Sequence, residues 1–295
     1  MTILFRILML GTLLLMAACG STPAPTAAPP PTPTAASPAA APTATPAPAT
    51  EVVTPTAASA PQTGVITVGI DPSFEPFVFV QENKLAGFDV DLLNAMAAAG
   101  DFEVAYVVST FEEIFSGLQS GKYDAAISAI TVTDERKTLV DFTAPYFESG
   151  KAPVSFFNPG QGIAIRTDNT VITGTESLVA GVQVGVKKGT TGAAFAAEET
   201  TADIVEFADA PAAIAALVAG ELDAVIVDIP VIVGYIKSNP AANLRVTGGP
   251  VTEEAYAIAV SQAEPAVLAT LDAALADVQA SGAYDQIYDR WFGAP

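Results

Sequence analysis

From residue 64 onward, apolar and polar positions follow two rhythms that take turns along the chain. TGVITVGID alternates with period two and ends at Asp71, which predicts a half-buried strand. GFDVDLLNAMAAAG places Val90, Leu93 and Met96 at helical spacing and stops at Gly100, a residue suited to the position just past a helix. The intervening PSFEPFVF reads as a loop carrying Phe74 and Phe77. FEVAYVV predicts a second strand, EEIFSGLQSG a second helix behind the loop residue Phe111, and DAAISAI a buried strand running into Ser128. Thr131, Thr133 and Asp134 are residue types that start helices, so another helix is expected there with Arg136 in its first turn. Strands and helices in alternation predict parallel βαβ units and an α/β class.

The same order recurs later in the chain. VGVK (Val184–Lys187) matches VGID (Val68–Asp71), and the pattern LxxGxxDAxI occurs twice. Its residues are Leu118, Gly121, Asp124, Ala125 and Ile127, then Leu217, Gly220, Asp223, Ala224 and Ile226. A spacing of 99 residues is too long for a solenoid, so two similar α/β lobes are expected. After Ala255 come a strand (YAIAV), an Ala-rich helix and AYDQIYDRWFG. In that last segment Tyr284, Ile287, Tyr288 and Trp291 are spaced to pack on the first lobe.

Composition removes the first 63 residues from the fold. Residues 1–19 hold one charge, Arg6, then an apolar run ending in Ala17, Ala18 and Cys19, the single cysteine of the chain. The run is too short to span a membrane and has the shape of a secretory signal. Its ending resembles a bacterial lipobox, which implies cleavage before Cys19 and lipidation of that residue. Residues 20–63 contain 12 of the 23 prolines, mostly Ala and Thr otherwise, and no aromatic residue. Such a segment cannot bury a core and is read as a tether, with a reach on the order of 130 Å if fully polyproline II. Arg6 and Glu51 cancel, so the folded part carries the whole net charge of −20. That surface repels nucleic acid and anionic lipid, and neither is expected as a direct partner.

Charge over the whole molecule does not decide what a cleft holds. Arg136 at a helix start opposes the macrodipole unless an anion sits beside it, and an Arg fork with helix amides suits a carboxylate. A surface ion pair with Asp134 or Asp141 would also explain it. Asp228 ends an apolar strand two residues before Pro230, where it can cap a helix or face an ammonium. Asp71 precedes Pro72, with a turn role as its alternative. Lys187 and Lys188 are adjacent, so one is expected to face the cleft and the other to face away. GTTG beyond them lacks the spacing of a nucleotide-binding loop. Ligands of open α/β sheets lie at the carboxyl ends of strands, so these residues are expected around one cleft between lobes. With no histidine and one cysteine, the inventory for catalysis is thin, and no zinc or EF-hand spacing is present.

The motifs GFDVDL (Gly87–Leu92), LQSGKYDAAIS (Leu118–Ser128), ITVTDERK (Ile130–Lys137), DFTAPYF (Asp141–Phe147), VGVKKGTTG (Val184–Gly192), LDAVIVDIP (Leu222–Pro230) and IYDRWFG (Ile287–Gly293) are the most specific part of a likeness that covers essentially all of residues 64–295. On them the chain resembles the extracytoplasmic solute-binding proteins of ABC transporters, in the polar amino-acid-binding family. The resemblance implies an α/β type II periplasmic-binding-protein fold with two lobes, each a mixed sheet flanked by helices. Lobe one would be 64–154 plus 256–295, and lobe two 155–255. It also implies a ligand site of Asp71, Phe74, Phe111, Ser128, Ala129, Thr131, Arg136, Lys187, Thr190, Thr191 and Asp228. Arg136 and amides near Thr131 and Thr191 would grip the α-carboxylate, and Asp228 the α-ammonium. Phe74 and Phe111 would sandwich the side chain, with Asp71 and Lys187 at its far end. An Asp at 71 resembles binders of glutamine or basic amino acids, and a Lys at 187 resembles glutamine binders. Ala129 and Val227 stand where glutamine binders carry Gly and His. The expectation is a lipid-anchored, monomeric, non-enzymatic binder without cofactor or metal, serving an ABC permease with glutamine as ligand. Binding of arginine, lysine or histidine is the alternative, and a cyclohexadienyl-dehydratase-like enzyme the rival from another class.

Overall fold

The computed structural model describes residues 64–149 and 158–293. The signal segment, Cys19, the tether and the expected lobe boundary at 154–155 lie outside them. In chain order the first lobe gives β1 (Val65–Ile70), β2 (Ser73–Phe74), β3 (Val78–Gln81), β4 (Lys84–Ala86), α1 (Phe88–Gly100), β5 (Glu103–Val108), α2 (Ile114–Gln119), β6 (Ala125–Ala126), α3 (Asp134–Lys137), β7 (Asp141–Phe142) and β8 (Phe147–Glu148). The second gives β9 (Gln161–Arg166), β10 (Gln183–Lys187), α4 (Thr191–Glu199), β11 (Asp203–Phe207), α5 (Ala210–Ala219), β12 (Ala224–Asp228), α6 (Ile229–Ser238) and β13 (Leu244–Thr247). The chain then returns through β14 (Ala255–Tyr256) and β15 (Ala259–Val260) to α7 (Pro265–Ala280) and α8 (Ala283–Phe292).

Each lobe holds a five-stranded mixed sheet. The first is ordered β5-β1-β6-β15-β7 and the second β11-β10-β12-β9-β13. In both, the leading strand pairs in parallel on its two sides, β1 with β5 and β6, and β10 with β11 and β12. One strand in each sheet runs against the rest, β15 in the first lobe and β9 in the second, and it pairs antiparallel with both its neighbours.

The repeated pattern has a local physical cause. Gly121 and Gly220 both adopt the left-handed conformation, at φ +70° and +79°. Each N–H closes a turn, onto Leu118 O at 3.2 Å and Leu217 O at 3.1 Å. The following Asp then grips the strand that pairs in parallel on both sides, β1 or β10: Asp124 Oδ2 accepts from Thr67 N at 2.8 Å, and Asp223 Oδ2 from Gln183 N at 2.9 Å. A helix stop, a turn needing positive φ and a carboxylate clamp together require Leu, Gly and Asp at fixed offsets.

Four local expectations are corrected. PSFEPFVF is not a loop, because Ser73–Phe74 and Val78–Gln81 pair antiparallel and join Lys84–Ala86 in a three-stranded sheet. Gly100 is the last helical residue, and Asp101 takes the left-handed cap at φ 54°. A side chain at Gly100 would run into the Phe102 ring, so the glycine serves close packing. The strand read in DAAISAI is paired only at Ala125–Ala126, since Ala129 turns the chain at φ 48°. YAIAV splits into β14 and β15, which serve different sheets.

An aromatic cluster holds lobe one to the returning chain. Phe77, Phe88, Phe147, Tyr256, Tyr288 and Phe292 are all buried. Phe77 meets Phe147 edge-on at 5.3 Å and Tyr256 at 5.4 Å between centroids. Trp291 packs edge-on against Phe79 and donates to Asp91 Oδ2 at 3.0 Å, so α8 lies on lobe one as expected.

Candidate functional site

The strand ends of both sheets converge on a cluster of buried polar groups: Asp71, Ser128, Thr131, Arg136, Gln161, Lys187, Asp228 and Glu254. So many buried charges need partners, and they find them across the lobes.

Arg136 lies in α3, a single turn whose N-cap Thr133 already accepts from Arg136 N at 3.1 Å. The expected cradle of helix amides is therefore small here, and the anchor is the guanidinium itself. It forms no ion pair with Asp134 or Asp141; Asp134 pairs with Lys137 instead. NH1 donates to Thr131 O at 2.8 Å and NH2 reaches across to Gly189 O in lobe two at 3.2 Å. Phe111 and Phe115 lie on its faces, 5.3 and 5.1 Å from the guanidinium carbon. Burial lowers its pKa, while Glu254, Asp228 and Glu135 pull the other way. An Arg is always charged in practice, so the site presents a dry cation.

Asp228 ends β12 but does not cap α6, as no side-chain cap bond forms there. Its carboxylate accepts instead from the Tyr256 hydroxyl, whose ring belongs to the lobe-one cluster. Burial, then the neighbouring Glu254, push its pKa up to about 7.

At the far end Lys187 Nζ lies 2.6 Å from Asp71 Oδ2 and 3.1 Å from Ser73 Oγ. Asp71 also accepts from Phe111 N at 3.1 Å and from Ser73 Oγ at 2.8 Å. The Lys187 ammonium sits between the Phe74 and Phe111 rings, 5.0 and 5.1 Å from their centroids. The two lysines diverge as expected: Lys188 is exposed and pairs with Glu112 of lobe one at 2.8 Å.

Ser128 Oγ accepts from Asp71 N at 2.9 Å, and Ala129 N donates to Asp89 Oδ2 at 2.8 Å. Thr190 caps α4 by accepting from Ala193 N at 3.2 Å. Behind it the N–H groups of Thr191 and Gly192 occupy the helix's first turn, which no intrahelical carbonyl reaches. Of the residues expected at the site, Lys187 and Asp228 end strands and Asp71 and Ser128 follow them, Arg136 and Thr191 lie on α3 and α4 with Thr190 as the α4 cap, and Phe74 lies on β2.

Three participants were missed: Glu254, Gln161 and Tyr256. Glu254 Oε2 accepts from Thr131 Oγ1 at 2.6 Å, and Oε1 from Thr252 Oγ1 at 3.0 Å and Gln161 Nε2 at 3.3 Å. Gln161 Nε2 continues to Thr191 Oγ1 at 3.1 Å. Their one sequence signal is a polar residue beside a strand start, GQGIAIR and EEAYAIAV, in a chain rich in acids. A separate cavity of about 410 Å³ opens at the other strand ends, near Asp101, Asp124 and Glu264, but Asp124 is already bound to Thr67.

A buried cation on lobe one and a buried anion on lobe two that acts on it suit a small zwitterion. Residues 66–294 match the bacterial extracellular solute-binding proteins, family 3. The chain belongs to that family. A probable histidine-binding protein of Neisseria gonorrhoeae is 34% identical over 230 residues, covering 76% of this chain and 82% of the relative. The ABC transporter glutamine-binding protein GlnH of Bacillus subtilis is 32% identical over 216 residues, covering 70% and 73%. Among solved structures, an ancestral arginine-binding protein bound to glutamine superposes with TM-score 0.70 at 36% identity, over 79% of this chain and 100% of that one. The fold is therefore the two-lobed type II periplasmic-binding-protein fold, and the family places the chain outside the cytoplasm. Among the described residues no helix is long and apolar enough to cross a membrane.

Proposed function

We propose that this family member captures a polar amino acid, glutamine best of all, and delivers it to an ABC permease when its lobes close. The observation that carries the reading is the placement of the Arg136 guanidinium on lobe one and the Asp228 carboxylate on lobe two, both buried at one cleft. An α-carboxylate at Arg136, the Thr131 backbone and the α4 amides, and an α-ammonium at Asp228, would bridge the lobes and favour the closed form. Charge-assisted hydrogen bonds of about 1.5 to 3 kcal/mol each are sufficient for micromolar binding.

The side-chain preference rests on Lys187. With Asp71 already engaged by this ammonium, an arginine or lysine head group meets a cation as well as an anion. A carboxamide can accept from Lys187 and donate to Asp71, with its stem between Phe74 and Phe111. A thermal-shift screen of the twenty amino acids is expected to give its largest stabilisation with glutamine. Larger shifts with arginine, lysine and histidine would support the basic-ligand alternative, and no shift with any amino acid would defeat the reading.

The rival reading is an enzyme, in which Asp228, buried and bonded to the Tyr256 hydroxyl, would serve as a general acid. Incubation with prephenate or arogenate separates the two, since formation of an aromatic product contradicts a pure binder. For the anchor, residues 1–19 are proposed as signal, Cys19 as the lipidated residue and 20–63 as tether. Cys19→Ser is expected to leave the membrane fraction with ligand affinity unchanged; a variant that still fractionates with lipid would overturn the anchor.

A further inference from the structure

Asp89 is a fully buried carboxylate with no cation beside it. It lies in the first turn of α1, where the helix dipole favours an acid, but an exposed acid would serve that purpose equally. Its side chain is 0% exposed, and burial pushes its pKa up to about 7. Oδ1 has only the neighbouring Tyr146 hydroxyl, which offsets a small part of the burial and forms no well-aligned hydrogen bond with it. A buried acid this poorly satisfied costs the fold stability. What it does hold is distant in sequence: Oδ2 accepts from Ala129 N at 2.8 Å, forty residues on.

Ala129 is the place where restraint is needed. Its φ is +48°, a left-handed conformation that Gly adopts freely and Ala only at a cost of about 1 kcal/mol or more. The two sides of this kink are site residues. Ser128, before it, accepts from Asp71 N; Thr131, after it, supplies the carbonyl that orients the Arg136 guanidinium. If Ala129 relaxed to a right-handed conformation, Ser128 and Thr131 would rotate with it, and the carboxylate anchor would lose its aim. Asp89 and Ala129 both belong to lobe one, so their bond does not depend on closure.

We infer that Asp89 is a positioning residue for the ligand site: it locks Ala129 in the left-handed conformation and so pre-sets the Ser128–Thr131 loop before ligand arrives. The inference rests on the amino-acid-binding reading and deepens it, with Asp89 acting on the ligand only through the loop.

The test uses calorimetry with glutamine, arginine and histidine as probes on the full folded region. Asp89→Asn keeps an acceptor oxygen for Ala129 N–H and is expected to bind within about threefold of the wild type. Asp89→Ala removes the acceptor and is expected to bind at least about tenfold more weakly. Adding Ala129→Gly to Asp89→Ala should recover part of the lost binding, since glycine reaches the left-handed kink without the cost that alanine pays. A folded Asp89→Ala protein with wild-type affinity would overturn the inference, as would an Asp89→Asn protein as weak as the alanine variant. If Asp89→Ala does not fold, hydrogen exchange of the Ala129 N–H in the unliganded wild type decides. Protection supports a pre-set loop, and exchange at the open-chain rate refutes it. A wild type that binds none of the probes defeats the amino-acid reading, while this exchange measurement still tests the lock.

Discussion

Burial takes Asp228 out of water and Glu254 adds a second negative charge nearby, and both effects favour the protonated form, with a pKa of about 7 against 3.8 for an unburied group. A ligand ammonium needs the ionised form, so below pH 7 binding must expel a proton. Affinity is expected to rise with pH up to about 7, by at most about tenfold per unit, and to level off above. Stability of the empty protein runs the other way. The native state holds more protons than the unfolded chain between pH 3.8 and about 7, so stability is lost as pH rises through that window, and Asp89 adds to the same slope. Glu254→Gln removes the like charge and should move the affinity midpoint to lower pH. Titration calorimetry from pH 5.5 to 8.5, in buffers of different ionisation enthalpy, reads both affinity and proton release. A flat profile with no proton exchange would contradict the assignment of the ammonium to Asp228.

The elements divide into those whose sequence explains them and those it does not. The LxxGxxDAxI pattern was legible because every demand on it is local: a helix stop, a positive φ at Gly121 or Gly220, and a carboxylate reaching the adjacent strand. Lys187 and Asp228 were legible because a charge at the end of an apolar strand has little structural reason to be there, and Arg136 because a cation in the first turn of a helix opposes the dipole. Glu254, Gln161 and Tyr256 lie at or beside strand starts, where side-chain pattern does not say which tertiary partner a polar group meets. Their partners are set by tertiary structure alone: Glu254 meets Thr131 from 123 residues away, and Tyr256 meets Asp228 from 28. Asp89 was visible in GFDVDL as a residue of a motif, but its role depends on the backbone of Ala129, and no side-chain pattern encodes a φ angle. The strands that begin within PSFEPFVF, at Ser73 and Val78, were read as loop because each is too short to show alternation.

At the scale of the whole molecule, the segment Lys187–Gly189 does most of the cross-lobe bonding at the cleft. Lys187 meets Asp71 and Ser73, Lys188 meets Glu112, and Gly189 O accepts from Arg136. The Lys188 pair is exposed and contributes little, on the order of 0.2 to 1 kcal/mol. The Lys187 pair is dry, and removing one partner leaves a buried, uncompensated charge, which typically costs several kcal/mol. Lys187→Met should therefore have two linked effects. Without ligand, the variant loses its closing contact, and the averaged molecule should expand, seen as a larger radius of gyration by small-angle scattering. With ligand, Asp71 is free to take a cationic head group, so glutamine should weaken by about tenfold or more while arginine tightens. On the proposed function the two effects have one cause, because the ammonium that joins Asp71 across the lobes is the charge a basic head group would meet. If Lys187→Met expands the empty protein but leaves the ranking of glutamine and arginine unchanged, Lys187 acts in closure alone. The side-chain preference must then arise elsewhere along the Phe74–Phe111 slot.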